Sequence, residues 1–256
     1  MKNKQFRELA VCGFEAVRAL ADHHPERIQR LFFTNDRARF FGTVCRELAA
    51  TKRIYRTVDS EKDLEKLAGS VHHQGVVAMI TEPLIPLLDE RTLPNVTDSS
   101  MLLVLDRVGN ANNLGAIVRS AAFFGTETII LSNEDDQARI STSMYRVAQG
   151  GMEFVSLWKV PDTAWLLNRI PDSFVRIGAD HRSDIDMDGM VELCTAHKKP
   201  LIILGNEETG LSPETRQLCD HLVRISGTGR IESLNVAQAA TVFLHATAKI
   251  VERNRG

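Results

Sequence analysis

The chain has 256 residues, 31 Lys and Arg against 33 Asp and Glu, a formal net charge of −2, and 43% hydrophobic residues. This composition excludes collagen-like and intrinsically disordered chains, and the length favours one large or two small domains. No apolar run reaches the roughly 18 residues of a membrane span. The N-terminus lacks the apolar stretch of an export signal, so we expect a cytoplasmic protein.

The cysteines and histidines do not have metal-site spacing. The four cysteines are far apart and include no CxxC pair, which favours reduced, buried thiols over disulfides or a zinc site. The neighbouring histidines have no partner at ligand spacing, so we expect no metal. The residues considered are Cys12, Cys45, Cys194, Cys219, His23, His24, His72 and His73.

Charge divides the sequence into two parts. Residues 1–80 carry 14 Lys and Arg against 10 Asp and Glu, whereas residues 81–256 carry 17 against 23. Residues 81–100 contain Pro83, Pro86 and Pro94 and show no clear hydrophobic period. We predict a domain over residues 1–80, an interdomain linker over 81–100 and a second domain over 101–256.

The first domain alternates helical and strand patterns, which predicts a small α/β domain. Ser60 and Asp63 resemble a capping box that opens a helix. The predicted helices span residues 13–21, 36–50 and 60–67, and the predicted strands span residues 28–34, 54–58 and 76–80.

The second domain also alternates strand and helix. Met101 to Leu105 is a continuous apolar run, which is typical of a buried parallel strand. Alternation of this kind predicts a parallel sheet covered by helices on both faces. The predicted strands are 101–105, 128–131, 154–158, 174–177, 201–204 and 222–225, and the principal helices are 113–124 and 233–252.

Asn113, Gly115 and Arg119 follow the first apolar strand of this domain. Asn113 suits a helix N-cap, and Gly115 lies four residues before Arg119, on the same helix face. A glycine there leaves room for a ligand beside Arg119. The alternative is a surface arginine whose stem lies along the helix.

Gly205 to Ser212 has the spacing of a phosphate-binding loop between a strand and a helix. Leu211 stands where that loop needs its lysine, so nucleoside triphosphate hydrolysis is excluded. The glycines Gly205 and Gly210 indicate a close backbone approach or a positive φ, with a simple tight turn as the alternative.

Gly227 and Gly229 precede the last helix, but no third glycine completes a dinucleotide fingerprint. Ser233 can cap that helix, and Asn235 falls in its first turn, near N–H groups that favour polar or anionic ligands. Capping alone is the alternative interpretation.

Taken together, these segments resemble the SpoU/TrmH family of SPOUT RNA methyltransferases, and in particular its uncharacterised YfiF-type members. The family motifs Asn-x-Gly-x-x-x-Arg, Gly-x-Glu-x-x-Gly-Leu and Ser-Leu-Asn-Val are met at residues 113–119, 205–211 and 233–236. Residues 13–20 and 73–75 resemble the family's substrate-binding domain, which is of the ribosomal-protein L30e type. One departure is Gly109 to Asn112, where many members carry Asp-Pro; without proline we expect a freer loop.

The resemblance implies an α/β fold: a SPOUT-type parallel sheet with a C-terminal trefoil knot, plus a small N-terminal L30e-like domain. It also implies S-adenosylmethionine as methyl donor, the ribose 2′-hydroxyl of tRNA or rRNA as acceptor, and a homodimer formed through the catalytic domain. The implied catalytic residues are Arg119, Asn113, Glu207, Ser233 and Asn235. The implied cofactor-binding residues are Leu204, Gly205, Asn206, Gly210, Ile225, Gly227 and Leu234.

Two other functions remain open at this stage. A non-catalytic RNA-binding protein could keep this fold and use its basic first domain. A conventional Rossmann methyltransferase is disfavoured, because no glycine-rich turn follows the strand at residues 101–105.

Overall fold

The protein is described from a computed structural model, which covers residues 8–134, 136–194 and 198–255. The chain forms two compact units. Unit 1 comprises residues up to Leu84 together with Ile140–Phe154, and unit 2 comprises Ile85–Arg139 and residues from Val155 onward. Within the described residues, no helix is long and apolar enough to cross a membrane.

Unit 1 is built on a four-stranded mixed sheet with the strand order β1-β4-β2-β3. β4 pairs antiparallel with both β1 and β2, and β3 lies parallel to β2 at the edge. The strands are β1 (Glu8–Cys12), β2 (Ile28–Phe33), β3 (Ile54–Thr57) and β4 (Val76–Thr81). The helices are α1 (Phe14–His23), α2 (Gly42–Ala50) and α3 (Glu61–Ala68), with short 3-10 turns at Pro25–Arg27 and Ala38–Phe40.

Most of the predicted elements of unit 1 are confirmed, with two differences. β1 was not predicted, because its five residues begin with an exposed Glu8 and show no alternation of polar and apolar residues. The helix predicted over 36–50 begins only at Gly42, because Ala38–Phe40 form a 3-10 turn first. Ser60 caps α3, where its hydroxyl accepts the N–H of Lys62 at 3.3 Å.

Residues 140–154 are flanked in sequence on both sides by residues of unit 2, yet they belong to unit 1. They form α6 (Thr142–Ala148) and a 3-10 turn at Gly151–Glu153. α6 packs against β1, and the turn packs against α1. The contact with α1 is close, because a Cβ at Gly150 would lie 2.6 Å from the Cβ of Ala19.

Unit 2 contains a six-stranded, entirely parallel sheet with the order β10-β8-β9-β5-β6-β7, as the predicted α/β class requires. The strands are β5 (Leu102–Leu105), β6 (Thr128–Ser132), β7 (Ser156–Val160), β8 (Phe174–Ala179), β9 (Lys199–Leu204) and β10 (His221–Val223). The helices are α4 (Pro94–Thr97), α5 (Ala111–Phe123), α7 (Thr163–Leu167), α8 (Met187–Leu193), α9 (Pro213–Leu218) and α10 (Val236–Arg255).

The residues predicted to form a linker contribute to the core of unit 2. Leu88 and Val96 are buried in the cluster that covers one face of the parallel sheet. Leu88 also donates its backbone N–H to Lys159 of β7 at 2.7 Å. Residues 85–100 therefore pack on the sheet, although their prolines and their lack of a hydrophobic period did not predict this packing.

The strand order places two loops of unit 2 side by side. β5 pairs with β9 so that Leu105 lies opposite Leu204, and both strands therefore end at the same edge. After β5 the chain continues to β6 on one side, whereas after β9 it continues through α9 to β10 at the far edge. Ligand sites of open parallel sheets form at such reversals of strand order.

Candidate active site

The candidate site lies at the carboxyl ends of β5 and β9. Three segments contribute to it: residues 106–110, which lead into α5; residues 205–212, which lead into α9; and residues 224–235, which lead into α10. Each of the three predicted motifs begins in one of these segments or in the first turn of the helix that follows it.

The N-cap of α5 is Asn110, not Asn113 as predicted. The Oδ1 of Asn110 accepts the backbone N–H groups of Asn112 at 2.8 Å and Asn113 at 3.4 Å. This cap fixes the start of the helix without the proline that many family members have nearby. Asn113 is therefore the third residue of the helix, and its side chain is available for other contacts.

Asn113 joins the three motifs by hydrogen bonds. Its Nδ2 donates to Oε1 of Glu207 at 2.9 Å, and its Oδ1 accepts Nδ2 of Asn235 at 3.2 Å. The second oxygen of Glu207 accepts the backbone N–H of Gly109 at 3.3 Å. Three predicted catalytic residues that are far apart in sequence thus form one chain of hydrogen bonds, which we call the Asn113 network.

Asn235, rather than the predicted Ser233, caps α10. Its Oδ1 accepts the backbone N–H of Ala237 at 2.9 Å, and α10 begins at Val236. Ser233 lies too early in the chain to cap this helix, and its side chain is exposed. The amide of Asn235 therefore has two roles, because its oxygen caps α10 while its nitrogen binds Asn113.

Arg119 is not part of this network. It is exposed on α5, and it forms no hydrogen bond or ion pair with any residue in the described ranges. The following residue, Ser120, shares a 2.8 Å hydrogen bond with Thr241 of α10, which fixes the two helices against each other. The structure thus joins Asn113, Glu207 and Asn235, and among the residues it describes, Arg119 and Ser233 form no hydrogen bond to them.

The loop after β9 is closed by Asn206. Its backbone exchanges two hydrogen bonds with Gly210, at 2.9 and 3.1 Å, and its Oδ1 accepts the N–H groups of Glu208 and Thr209. Gly210 has a φ of +68°, and a Cβ on Gly205 would lie 2.3 Å from the carbonyl carbon of Gly210. Both glycine properties expected from the sequence, a positive φ and a close backbone approach, are therefore present.

Two further residues of the site, Asp106 and Arg107, were not predicted. Asp106 is buried and accepts the hydroxyl of Thr163 at 2.9 Å and the N–H of Ser212 at 3.2 Å. Arg107 has a φ of +63° and donates Nη2 to the carbonyl of Gly210 at 3.3 Å. An aspartate directly after a buried parallel strand was the available signal in the sequence.

Arg107 and Asp106 also affect a neighbouring carboxyl group. Partial burial, with the negative charge of Asp106 as a further cause, raises the pKa of Glu134. Arg107 opposes this shift, because its Nε lies 3.3 Å from Oε2 of Glu134. The carbonyl of Arg107 accepts Nδ2 of Asn206 at 2.9 Å, so this arginine connects the loops after β5 and β9.

The segment before α10 has backbone groups suited to ligand binding. Within the described ranges, residues 225–235 donate no backbone N–H to another backbone or side-chain group of the chain. A Cβ at Gly227 would meet nothing within 4 Å, and the apolar side chains of Ile231 and Leu234 are 73% and 41% exposed. Free N–H groups can donate to the polar edge of an aromatic base, and apolar side chains can contact its ring. These features fit the predicted cofactor.

The remaining predicted cofactor residues border the same segments. Leu204 is the last residue of β9, and its carbonyl accepts the N–H of Asp106 at 2.8 Å. Ile225 follows β10 and is half-buried. In the part of the chain that the structure describes, no group of three or more His, Cys, Asp or Glu could hold a metal ion.

Comparison with known proteins identifies the family of the chain. Residues 100–245 match the model of the SpoU rRNA methylase family, and residues 10–86 match the model described as RNA 2′-O ribose methyltransferase substrate binding. The chain is 34% identical to the 23S rRNA (guanosine-2′-O-)-methyltransferase RlmB of Acinetobacter baylyi, covering 93% of this chain and 95% of that protein.

Two further similarities extend over nearly the whole chain. The uncharacterised tRNA/rRNA methyltransferase YfiF of Escherichia coli O157:H7 is 29% identical, covering 95% of this chain and 69% of that protein. The SpoU methyltransferase AviRb of Streptomyces viridochromogenes, solved with AdoMet, is 25% identical with a TM-score of 0.71, covering 97% of this chain and 91% of that one. The chain belongs to the SpoU rRNA methylase family.

Proposed function

We propose that this protein transfers the methyl group of S-adenosylmethionine to the 2′-hydroxyl of a ribose in ribosomal RNA. The Asn113 network supports this proposal most directly, because it joins all three family motifs at the edge where parallel sheets bind ligands. Two relatives that cover 93% of this chain are named as 23S rRNA (guanosine-2′-O-)-methyltransferases. A ribosomal RNA substrate would place the reaction in the cytoplasm.

The segments on either side of the Asn113 network are suited to hold the cofactor. When bound, S-adenosylmethionine supplies a methyl group on a positively charged sulfur. We assign its binding to the ends of β9 and β10 and to the segment before α10. The Gly205–Gly210 turn shapes one side, and free backbone N–H groups supply donors on the other. The residues assigned are Leu204, Gly205, Asn206, Gly210, Ile225, Gly227 and Leu234.

Arg119 is assigned to the RNA rather than to proton removal. A guanidinium group stays protonated in proteins, so it is a poor base. It is well suited to a bidentate hydrogen bond with a phosphate, and the exposure of Arg119 leaves its donors available. The 2′-hydroxyl proton then leaves to phosphate or water. The Asn113 network and Ser233 position the ribose that Arg119 holds by its phosphate.

Unit 1 is assigned to RNA binding. Its four-stranded mixed sheet with α1, α2 and α3 is compatible with an L30e-like domain, and residues 10–86 match a substrate-binding model. For unit 2 we propose that the segments before and within α10 form the trefoil knot of the family. The packing of α10 against α5, α8 and β9 is compatible with this topology.

We also propose a homodimer formed through unit 2. Phe123, at the end of α5, is 81% exposed and lies edge-on to Phe124 at 5.0 Å, and Phe124 lies 5.7 Å from His245 of α10. Aromatic residues are enriched at protein interfaces relative to the rest of the surface. F123D is expected to shift the mass in light scattering from dimer to monomer, whereas L84D, at a leucine of unit 1 that is 93% exposed, is expected to leave it unchanged.

The test of the methyl-transfer proposal combines transfer and binding measurements. R119A is expected to abolish transfer of labelled methyl groups to ribosomal RNA while calorimetry still detects S-adenosylmethionine binding. R139A is the matched control, because Arg139 is also an exposed arginine of unit 2 without an ion pair in the described ranges. Near-normal turnover by R119A would contradict the assigned role.

The same measurements test the alternative of a non-catalytic RNA-binding protein. If the wild-type chain binds no S-adenosylmethionine at millimolar concentration, that alternative is supported and methyl transfer is refuted. Mapping of 2′-O-methylation in RNA from a deletion strain then identifies the nucleotide. Loss of a ribosomal site agrees with the proposal, whereas loss of a site in tRNA alone refutes the ribosomal assignment.

A further inference from the structure

One surface of unit 1 combines aromatic rings and guanidinium groups in a layered arrangement. The Cζ of Arg37 lies 4.7 Å from the ring centroid of Phe14, and the Cζ of Arg39 lies 4.7 Å from that of Phe40. The two phenylalanine rings meet edge to face with centroids 4.9 Å apart. Arg18 lies over the Phe14 ring at 5.7 Å. We call this group the Arg–Phe surface.

Packing holds Arg37 in place and leaves its hydrogen-bond donors free. Its Nε is buried and makes no hydrogen bond in the described part of the chain, although the carboxylate of Asp36 lies 3.4 Å away. Its Nη atoms donate to no described residue either. Gly75, with a φ of +80°, makes this placement possible, because a Cβ there would lie 3.1 Å from Cγ of Arg37. A fixed guanidinium with free donors is suited to phosphate.

Phe40 supplies the second element of a nucleotide site. It is 41% exposed at the end of a 3-10 turn, with the exposed Arg39 guanidinium layered on its ring. Unpaired RNA bases stack on aromatic rings and on guanidinium planes. Gln74 is exposed nearby, with its Oε1 accepting the N–H of Phe14 at 2.8 Å. The Nε2 of Gln74 donates to no described residue, so it can bind the edge of a base.

We propose that the Arg–Phe surface binds one unpaired nucleotide of the substrate RNA, with the base stacked on Phe40 and Arg39 and the phosphate on Arg37. This inference rests on the proposed function, because it identifies the part of the RNA that unit 1 recognises. It makes unit 1 selective for single-stranded loops over paired regions. The local acids, Asp36 and Glu15, leave an excess of positive charge among the five charged residues of this surface.

The experiment uses the full chain and two fluorescein-labelled probes, a short oligoadenylate and a blunt RNA duplex of the same length. F40A is expected to weaken oligoadenylate binding by about tenfold and duplex binding by less than about twofold. Y55A is the matched control, because Tyr55 is 43% exposed on β3 of the same unit, and it is expected to bind as the wild type does. F40W is expected to restore binding.

A spectroscopic measurement separates stacking from loss of structure. A 2-aminopurine base within the oligoadenylate is expected to be quenched by the wild-type protein and by F40W, but not by F40A. R37A is expected to lower the slope of log binding constant against log salt concentration by about one, the value of one phosphate contact. K66A, at an exposed lysine of α3, is expected to leave that slope unchanged. Unchanged quenching in F40A, or equal losses in F40A and Y55A, would overturn the proposal.

The outcome is independent of methyl transfer. If F40A binds oligoadenylate normally while the wild type methylates ribosomal RNA, the proposal that the Arg–Phe surface binds a nucleotide is refuted and the proposed function stands. If the wild type transfers no methyl group but still quenches 2-aminopurine through Phe40, the nucleotide site stands and the proposed function fails.

Discussion

The ion pair that attaches residues 140–154 within unit 1 allows a quantitative prediction. Arg27 donates Nη1 to Oε2 of Glu153 at 2.6 Å and Nη2 to the hydroxyl of Tyr145 at 2.7 Å. The Glu153 side chain is 0% exposed and that of Arg27 is 31% exposed. Burial raises the pKa of Glu153, and the positive charge of Arg27 opposes that shift.

R27M removes the charge and both donors but keeps an unbranched apolar side chain. Two unit charges about 3 Å apart attract by about 5–6 kcal/mol at an effective dielectric constant of about 20. Much of this attraction offsets the desolvation of Glu153, so the pair itself contributes little net stability. Loss of Arg27 alone leaves the buried carboxylate without its partner, and the expected cost is about 3–5 kcal/mol.

The dependence on pH follows from the raised pKa of Glu153. A carboxyl group with a raised pKa in the folded state favours folding below its unfolded pKa and loses that contribution as the pH rises through the folded value. Without Arg27, no positive charge of that residue lowers the pKa of Glu153, so its carboxyl group is protonated more readily in the folded state. R27M is therefore expected to be more destabilising at neutral pH than in mildly acidic buffer. Adding E153Q removes the unpartnered charge and is expected to reduce the cost to about 1–2 kcal/mol.

Amide hydrogen exchange of β1 and β4, followed by mass spectrometry, measures the free energy of opening of unit 1. R30M is the control, because Arg30 has a similar exposure of 32% but pairs with Glu8, whose side chain is 38% exposed. Loss of a pair between exposed groups costs less than about 1 kcal/mol. Equal losses in R27M and R30M, or no rescue by E153Q, would refute the role of the buried carboxylate.

Three further predictions concern unit 2. G205A places a Cβ 2.3 Å from the backbone of Gly210, so it is expected to displace the loop and to lower the free energy of unfolding by about 1–3 kcal/mol. Calorimetry is expected to show that G205A binds S-adenosylmethionine with lower affinity. G227A, whose Cβ would meet nothing within 4 Å, is expected to keep wild-type stability. N110A removes the cap of α5 and is expected to lower unfolding free energy in urea by about 1 kcal/mol; no loss would argue against the cap. Burial raises the pKa of Cys219 to about 12, so its alkylation by iodoacetamide at pH 9 is expected to be far slower in the folded than in the unfolded chain. The stability that the folded chain gains by keeping this thiol protonated is lost as the pH rises from 9 to 12.

The strands of unit 2 could be predicted because burial on both faces selects continuous apolar runs. β5 and β9 are such runs, and both lie within one or two residues of their predicted bounds. β1 could not be predicted in this way, because its five residues begin with the exposed Glu8 and its pairing partner β4 lies more than sixty residues later. Residues 142–148 carry no sequence signal for the unit against which α6 packs.

The helix starts show a different limit. Asn110 and Asn113 both lie near the start of α5, and each has the residue type of a cap. The sequence favoured Asn113, which also belongs to the family motif, but the helix begins at Ala111 and Asn110 is the cap. The same happened at α10, where Ser233 was expected and Asn235 is the cap. Propensity identifies the neighbourhood of a cap, whereas the backbone determines which side chain reaches the free N–H groups.

The Asn113 network explains why these residue types occur together at the site. Glu207 can only accept while its carboxylate is ionised, and the Asn235 amide presents its nitrogen as a donor because its oxygen already caps α10. The residue between them must therefore donate on one side and accept on the other, which an asparagine side chain does and an ionised aspartate does not. Register places Asn113 and Glu207 together, because β5 and β9 end opposite each other, and the packing of α10 against α5 brings Asn235 to them. Neither the hydrogen-bond roles nor this register can be inferred from any one motif alone.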